Sequence, residues 1–168
     1  MKAFLLLSTA AFLTCQTVRA QIVQTPPASW CLQEVTDQDG NKVLITANLG
    51  YKNYADKAKF PWCLAVNITT LQKYPNGLPT AEEAPILNTT EDMITEALVK
   101  AGATQFIGRV TVKGYRELYY FVTNPDKADA ALKKLAKKRQ PREWEYQMQE
   151  DENWSRVAPF FRTNAKCL

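Results

Sequence analysis

The strongest constraint on the fold is a change of apolar period that occurs twice in the same order. From Phe60 to Thr70 the chain alternates, with Trp62, Leu64, Val66 and Ile68 set against Cys63, Ala65 and Asn67. A period of two is that of a strand with one buried face. Pro75-Asn76-Gly77-Leu78-Pro79 breaks the pattern. Met93, Ile94, Ala97, Leu98 and Ala101 then recur at helical spacing, with Thr90 as a candidate N-cap, Glu91 and Asp92 in the first turn, and Gly102 at the end. Thr80 to Leu87 reads as a short preceding turn of helix. Gln105–Lys113 and Tyr115–Thr123 surround Gly114 and read as a hairpin. Pro125 opens a second helix, from Asp126 to about Arg139, striped by Ala128, Ala131, Leu132, Leu135 and Ala136 and stopped by Pro141. Arg142–Gln149 returns to alternation, with Trp144, Tyr146 and Met148 against Glu143, Glu145 and Gln147.

Strand, helix, strand, strand, helix, strand is the β-α-β-β-α-β order of the ferredoxin-like fold. The expected class is therefore α+β: an antiparallel sheet with both helices on one face. An extra hairpin precedes it, Trp30–Thr36 and Lys42–Leu49 around the turn residues Asp37-Gln38-Asp39-Gly40-Asn41. Gly50–Lys59 reads as a connecting loop.

The first twenty residues do not fit that body. Lys2 precedes the apolar run Ala3–Thr14, which is too short to span a bilayer, and Val18-Arg19-Ala20 has the form of a signal-peptidase site. The expected division is a signal peptide over 1–20, a flexible linker over 21–29, one domain over 30–161 and a tail over 162–168. Cys15, directly after the apolar run, is the alternative lipidation point of a bacterial lipoprotein signal.

Export makes an oxidising compartment the expected setting, in which Cys31, Cys63 and Cys167 give one disulfide and one spare thiol. Three pairings are open. Cys31–Cys63 is favoured because both residues lie in expected strands while Cys167 sits next to the chain end.

Composition limits the chemistry. The 168 residues include no histidine, so Ser-His-Asp and Cys-His catalysis, zincin motifs and a neutral-pH imidazole switch are all absent. No Cys-x-x-Cys spacing suggests a metal. Losing Lys2 and Arg19 with the leader would reduce the net charge from +4 to +2, too small to imply a polyanionic partner.

Several short segments resemble a known family. They are Phe106-Ile107-Gly108-Arg109-Val110-Thr111, Gly114-Tyr115-Arg116-Glu117-Leu118-Tyr119-Tyr120-Phe121, Trp144-Glu145, and Glu150-Asp151-Glu152-Asn153-Trp154 with Phe160-Phe161. Over residues 104–161, and more loosely back to Trp30, the chain resembles the domain-of-unknown-function 695 family. The resemblance implies a ferredoxin-like domain and little about activity. Some members are joined to a domain resembling the bacterial protein inhibitor of ribonuclease E, which implies protein binding rather than catalysis.

Among candidate sites, Lys133, Lys134, Lys137, Lys138 and Arg139 form a basic face best read as solvated and as favouring the helix C-terminus. Glu143 and Glu145 share a strand face, but alternation with Trp144 and Tyr146 places them toward solvent, away from acid/base work. Asn67-Ile68-Thr69 and Asn88-Thr89-Thr90 are formal glycosylation sequons. Arg109, Arg116, Tyr120 and Trp154 are the candidate interaction surface; the acidic Glu150–Trp154 segment is a candidate for binding a cation or partner but is better read as Trp154 and Phe160-Phe161 folding back over an end of the core, with the acids in solvent. The aromatic density around Tyr119 and Tyr120 lacks the spacing of a nucleic-acid platform.

The expected function is an exported, non-enzymatic protein-interaction module, for instance an inhibitor or immunity-type protein of the bacterial envelope. The alternatives are a small-ligand-binding envelope protein, using the space between the sheet and the Tyr51–Lys59 loop, and an enzyme using Cys or carboxylate chemistry without His. The expected partner is another envelope or secreted protein. No cofactor, metal or nucleic acid is expected, and membrane contact only through a lipid on Cys15.

Overall fold

A computed structural model of the chain describes residues 25–162 and residue 167. The expected leader and Cys15 lie outside the described residues. Strands β1 (Trp30–Thr36), β2 (Lys42–Asn48), β3 (Trp62–Thr69), β4 (Thr104–Val112), β5 (Tyr115–Val122) and β6 (Trp144–Glu150) combine with helices α1 (Glu83–Ala101) and α2 (Pro125–Ala136). The sheet order is β1-β2-β4-β5-β3-β6, with every neighbouring pair antiparallel. The portion β4-β5-β3-β6 is compatible with a ferredoxin-like α+β fold. The β1–β2 hairpin lengthens that sheet at its β4 edge.

Local chemistry accounts for the main joints. Lys113 and Gly114 both have positive φ, 49° and 87°, the backbone of a two-residue hairpin turn whose twist matches the strands. Next to the β4 irregularity between Phe106 and Gly108, β2 approaches so closely that a Cβ on Gly108 would stand 2.3 Å from the Thr46 carbonyl oxygen. Only glycine allows this strand contact.

Helix α1 is longer than its apolar stripe. Thr90 is a buried interior residue whose Oγ1 donates to the Ile86 carbonyl (2.9 Å), so it is not the N-cap. The start lies at Glu83, whose amide donates to Thr80 Oγ1, and Pro85 is tolerated because first-turn N–H groups lack helical partners. Helix α2 ends at Ala136, short of Arg139, because the Gln140 side chain donates to the Leu135 and Lys138 carbonyls and terminates the turn. Both sequons fall inside regular elements, on β3 and α1.

The sheet is buried on both faces, so the expectation of one buried face per strand holds for β6 but not for β3. On the helix side, Leu64, Val66, Ile68, Leu118, Tyr120 and Val122 pack with α1 and α2 in an aliphatic core. On the other side, Cys63, Ala65, Ile107, Tyr119 and Phe121 meet an aromatic layer made by Tyr51, Phe60, Trp154, Phe160 and Phe161. That layer comes from the connection from Tyr51 to Phe60 and from Trp154 with the 3-10 helix Ser155–Phe161 that follows it. Trp154 adopts φ 59°, a left-handed backbone costly for a bulky residue. Its indole stacks on Phe121 at 4.2 Å and donates Nε1–H to the Phe60 carbonyl, which offsets that cost.

Candidate interaction site

The disulfide joins Cys31 to Cys167, correcting the Cys31–Cys63 expectation. The reason is topological: β1 and β3 are separated by three other strands in the sheet order, whereas the chain end returns across the aromatic layer to β1. Gln33 Nε2, two residues from Cys31 on the same face, donates to the Phe160 carbonyl at 3.0 Å and marks the same return path. Cys63 keeps a free thiol that is 1% exposed, and burial pushes its pKa up to about 12. A thiol so protonated and enclosed is not an activated nucleophile.

Three of the four residues expected to form an interaction surface are buried. Tyr120 (0% exposed) belongs to the helix-side core, where its hydroxyl meets Thr95 Oγ1 at 2.7 Å, and burial raises its pKa. Trp154 (1%) anchors the opposite layer, and Arg116 (5%) sits beneath α1. The space between the sheet and the Tyr51–Lys59 loop, expected to admit a ligand, is filled by Tyr51, Tyr54, Phe60 and Trp154. Asp151 is a cap rather than a binding group: its two carboxylate oxygens accept from the amides of Ser155 and Arg156. Ser29, in the expected linker, is tied to Asn48 through its amide. Glu143 and Glu145 are exposed, as alternation implies.

Arg109 alone of the four reaches solvent, and it leads to a site that the sequence did not single out. Strand parity places Trp30 and Leu32 of β1, Leu44 and Thr46 of β2, and Phe106 and Arg109 of β4 on the helix side of the sheet. The β1–β2 hairpin projects beyond the helices, so this side forms an open ledge where Trp30 is 51% and Leu32 38% exposed. Trp30 and Phe106 have ring centroids 5.8 Å apart, and Phe106 rests on Tyr120 at 4.9 Å. Trp30, Thr46, Phe106, Arg109 and Glu91 enclose a cleft of about 280 Å³.

The inner end of the cleft is charged. Glu91 of α1 accepts two bonds from Arg109 Nη1, at 2.8 and 3.0 Å, and a third from Arg116 Nη1 at 3.2 Å. Arg116 Nη1 also donates to Asn88 Oδ1 at 2.7 Å, while its buried Nε has no partner among the described residues. Burial and the neighbouring Arg109 charge lower the Arg116 pKa from its ordinary value. A sequence signal for this site existed in the large apolar residues of β1, but the exposure of Trp30 depends on where the helices stop.

Among the described residues no cluster of His, Cys, Asp and Glu could hold a metal ion, and no helix is long and apolar enough to cross a membrane. Comparison with curated proteins and with solved structures gave no match. The model of a family of unknown function, DUF695, matches residues 31–160, taking in both helices and all of the sheet except Trp30, and the chain belongs to that family.

Proposed function

We propose that this chain is an exported, non-enzymatic interaction module whose β1–β2 ledge docks another envelope or secreted protein, in the manner of an inhibitor or immunity protein. The observation that carries this reading is an inverted burial pattern on β1. Its smaller or polar residues, Cys31 and Gln33, are 2% and 3% exposed, while Trp30 and Leu32 face solvent. A shift of one residue in register would bury the other set. Burying a large apolar side chain stabilises by about 1.5–3 kcal/mol, a gain that Trp30 and Leu32 forgo on the face they share with the charged Glu34. Exposed aromatics flanking an arginine are the residue types enriched where proteins bind one another. The Cys31–Cys167 bridge supports an oxidising compartment, and the leader-like first twenty residues agree with that.

A photo-crosslinking residue at Leu32, introduced in the native host, tests the proposal against the same residue at Glu145, exposed on the opposite edge strand. A discrete adduct with one exported protein from position 32, absent from position 145, is the expected result. No adduct at 32, or the same adducts at both positions, would overturn it.

A further inference from the structure

The ion cluster at the inner end of the ledge is unbalanced. Elsewhere in the buried structure the pairing is one to one: Glu83, 0% exposed, meets Arg142 with carboxylate–guanidinium contacts of 2.6 and 2.7 Å. At the ledge, a single carboxylate, Glu91, faces two guanidinium groups, Arg109 and Arg116. Asp92, the next residue of α1, is exposed and forms an ion pair with neither arginine. In direct contact, the cluster therefore has one guanidinium more than it has carboxylates, with Asp92 acting only from a distance, on the Tyr120 hydroxyl. Both Glu91 bonds of Arg109 use Nη1, which leaves its Nη2 and Nε without a partner among the described residues, on a side chain 29% exposed at the cleft.

Resting on the reading of the ledge as a protein-docking surface, we infer that the cleft takes the C-terminal end of the partner chain, its carboxylate on Arg109 and its last apolar side chain between Trp30 and Phe106. Three features select this occupant. The surplus guanidinium matches one anion, and a carboxylate can accept two parallel bonds from guanidinium. The volume of about 280 Å³ is at the lower end of the ~300–1,000 Å³ of small-molecule pockets and has room for one terminal residue. Arg109 also lies in the same cleft as the Trp30 and Phe106 rings, so a cation and apolar walls stand side by side, as the carboxylate and side chain of one terminal residue do.

The test is calorimetric titration of the disulfide-bonded mature protein with acetylated tetrapeptides ending in Leu, Phe or Val. Each is compared as free acid, as C-terminal amide, and as an amide carrying an internal glutamate. The free acids are expected to bind at least about tenfold more tightly than the amides, the loss that accompanies a missing charge-assisted hydrogen bond. Arg109→Gln should abolish that difference, and Arg109→Lys should restore part of it. Trp30→Ala, at an exposed position that leaves the cluster intact, should weaken acid and amide alike. Equal binding of acid and amide overturns the inference, as does failure of all free acids to bind while the Leu32 crosslink still forms, a result that leaves the docking surface in place. Binding of the internal-glutamate peptide as tightly as the free acid would overturn the assignment to a chain end. Loss of the Leu32 crosslink would instead remove the docking reading itself.

Discussion

The two faces of the β1–β2 hairpin share one backbone and differ in what covers them. On one face, Cys31, Gln33, Val43 and Ala47 are sealed by the returning C-terminal segment, by a hydrogen bond from Gln33 to Phe160, and by the bridge to Cys167. On the other, Trp30 and Leu32 stand open beside Arg109. The covered set contains a cysteine and a glutamine, and the open set contains the larger hydrophobes. A chain that placed its residues only to bury apolar area would do the opposite. The register of β1 is thus held by the cover on its far side, through a cross-link and a polar contact, and does not depend on burying the apolar groups of the near side.

Mutation of the sealed side should show the largest effect. Trp154→Ala removes the stacked anchor of the aromatic layer and should cost about 3–5 kcal/mol, read as a lower urea midpoint. Second, Glu83→Gln at the start of α1 leaves Arg142 without its charge partner and should cost about 3 kcal/mol at neutral pH. The contact with Arg142 holds the Glu83 carboxyl at about 2, below its ordinary 4.5. Its stabilising contribution is therefore complete above pH 4.5 and lost as pH falls toward 2, so the variant should show a flatter acid limb than the parent. Third, Cys167→Ser opens a bridge between residues 136 apart and should cost about 2–4 kcal/mol, with hydrogen exchange rising along β1 and Ser155–Phe161. Smallest of all, Trp30→Ala should alter stability by no more than about 1 kcal/mol, the scale of its contact with Phe106. A Trp30 effect as large as that of Trp154 would erase the contrast between the faces.

How much of this was legible in the sequence depends on whether the determinant was local. The element order follows from periodicity and from turn residues such as Gly114 and Pro125, which act within a few positions of themselves. The span of β1 is likewise bounded by the Asp37–Asn41 turn, within which Asp37 bonds Asn41. The start of α1 was obscured because Pro85 and a pair of threonines look like boundary residues, yet lie within the helix where packing decides. The second aromatic core was invisible to alternation in β3, since Cys63 and Ala65 look like a neutral face until Trp154 and Phe160 arrive from about ninety residues away. The cysteine pairing is non-local for the same reason, being set by which residues the fold brings to Cys31 and not by strand membership. Of the candidate site, Arg109 was legible as a charged residue in an apolar strand. The exposure of Trp30 and the sharing of Glu91 by two arginines are properties of α1 lying over β4 and stopping short of β1.

The most direct measurement is oxidative footprinting of the four tryptophans, performed on the purified protein and in intact cells of the native host. Trp30 should be oxidised readily in isolation and protected in cells, where a partner covers the ledge, while Trp154 should be protected in both. Equal labelling of Trp30 in both settings would contradict the assignment of the open face to partner docking.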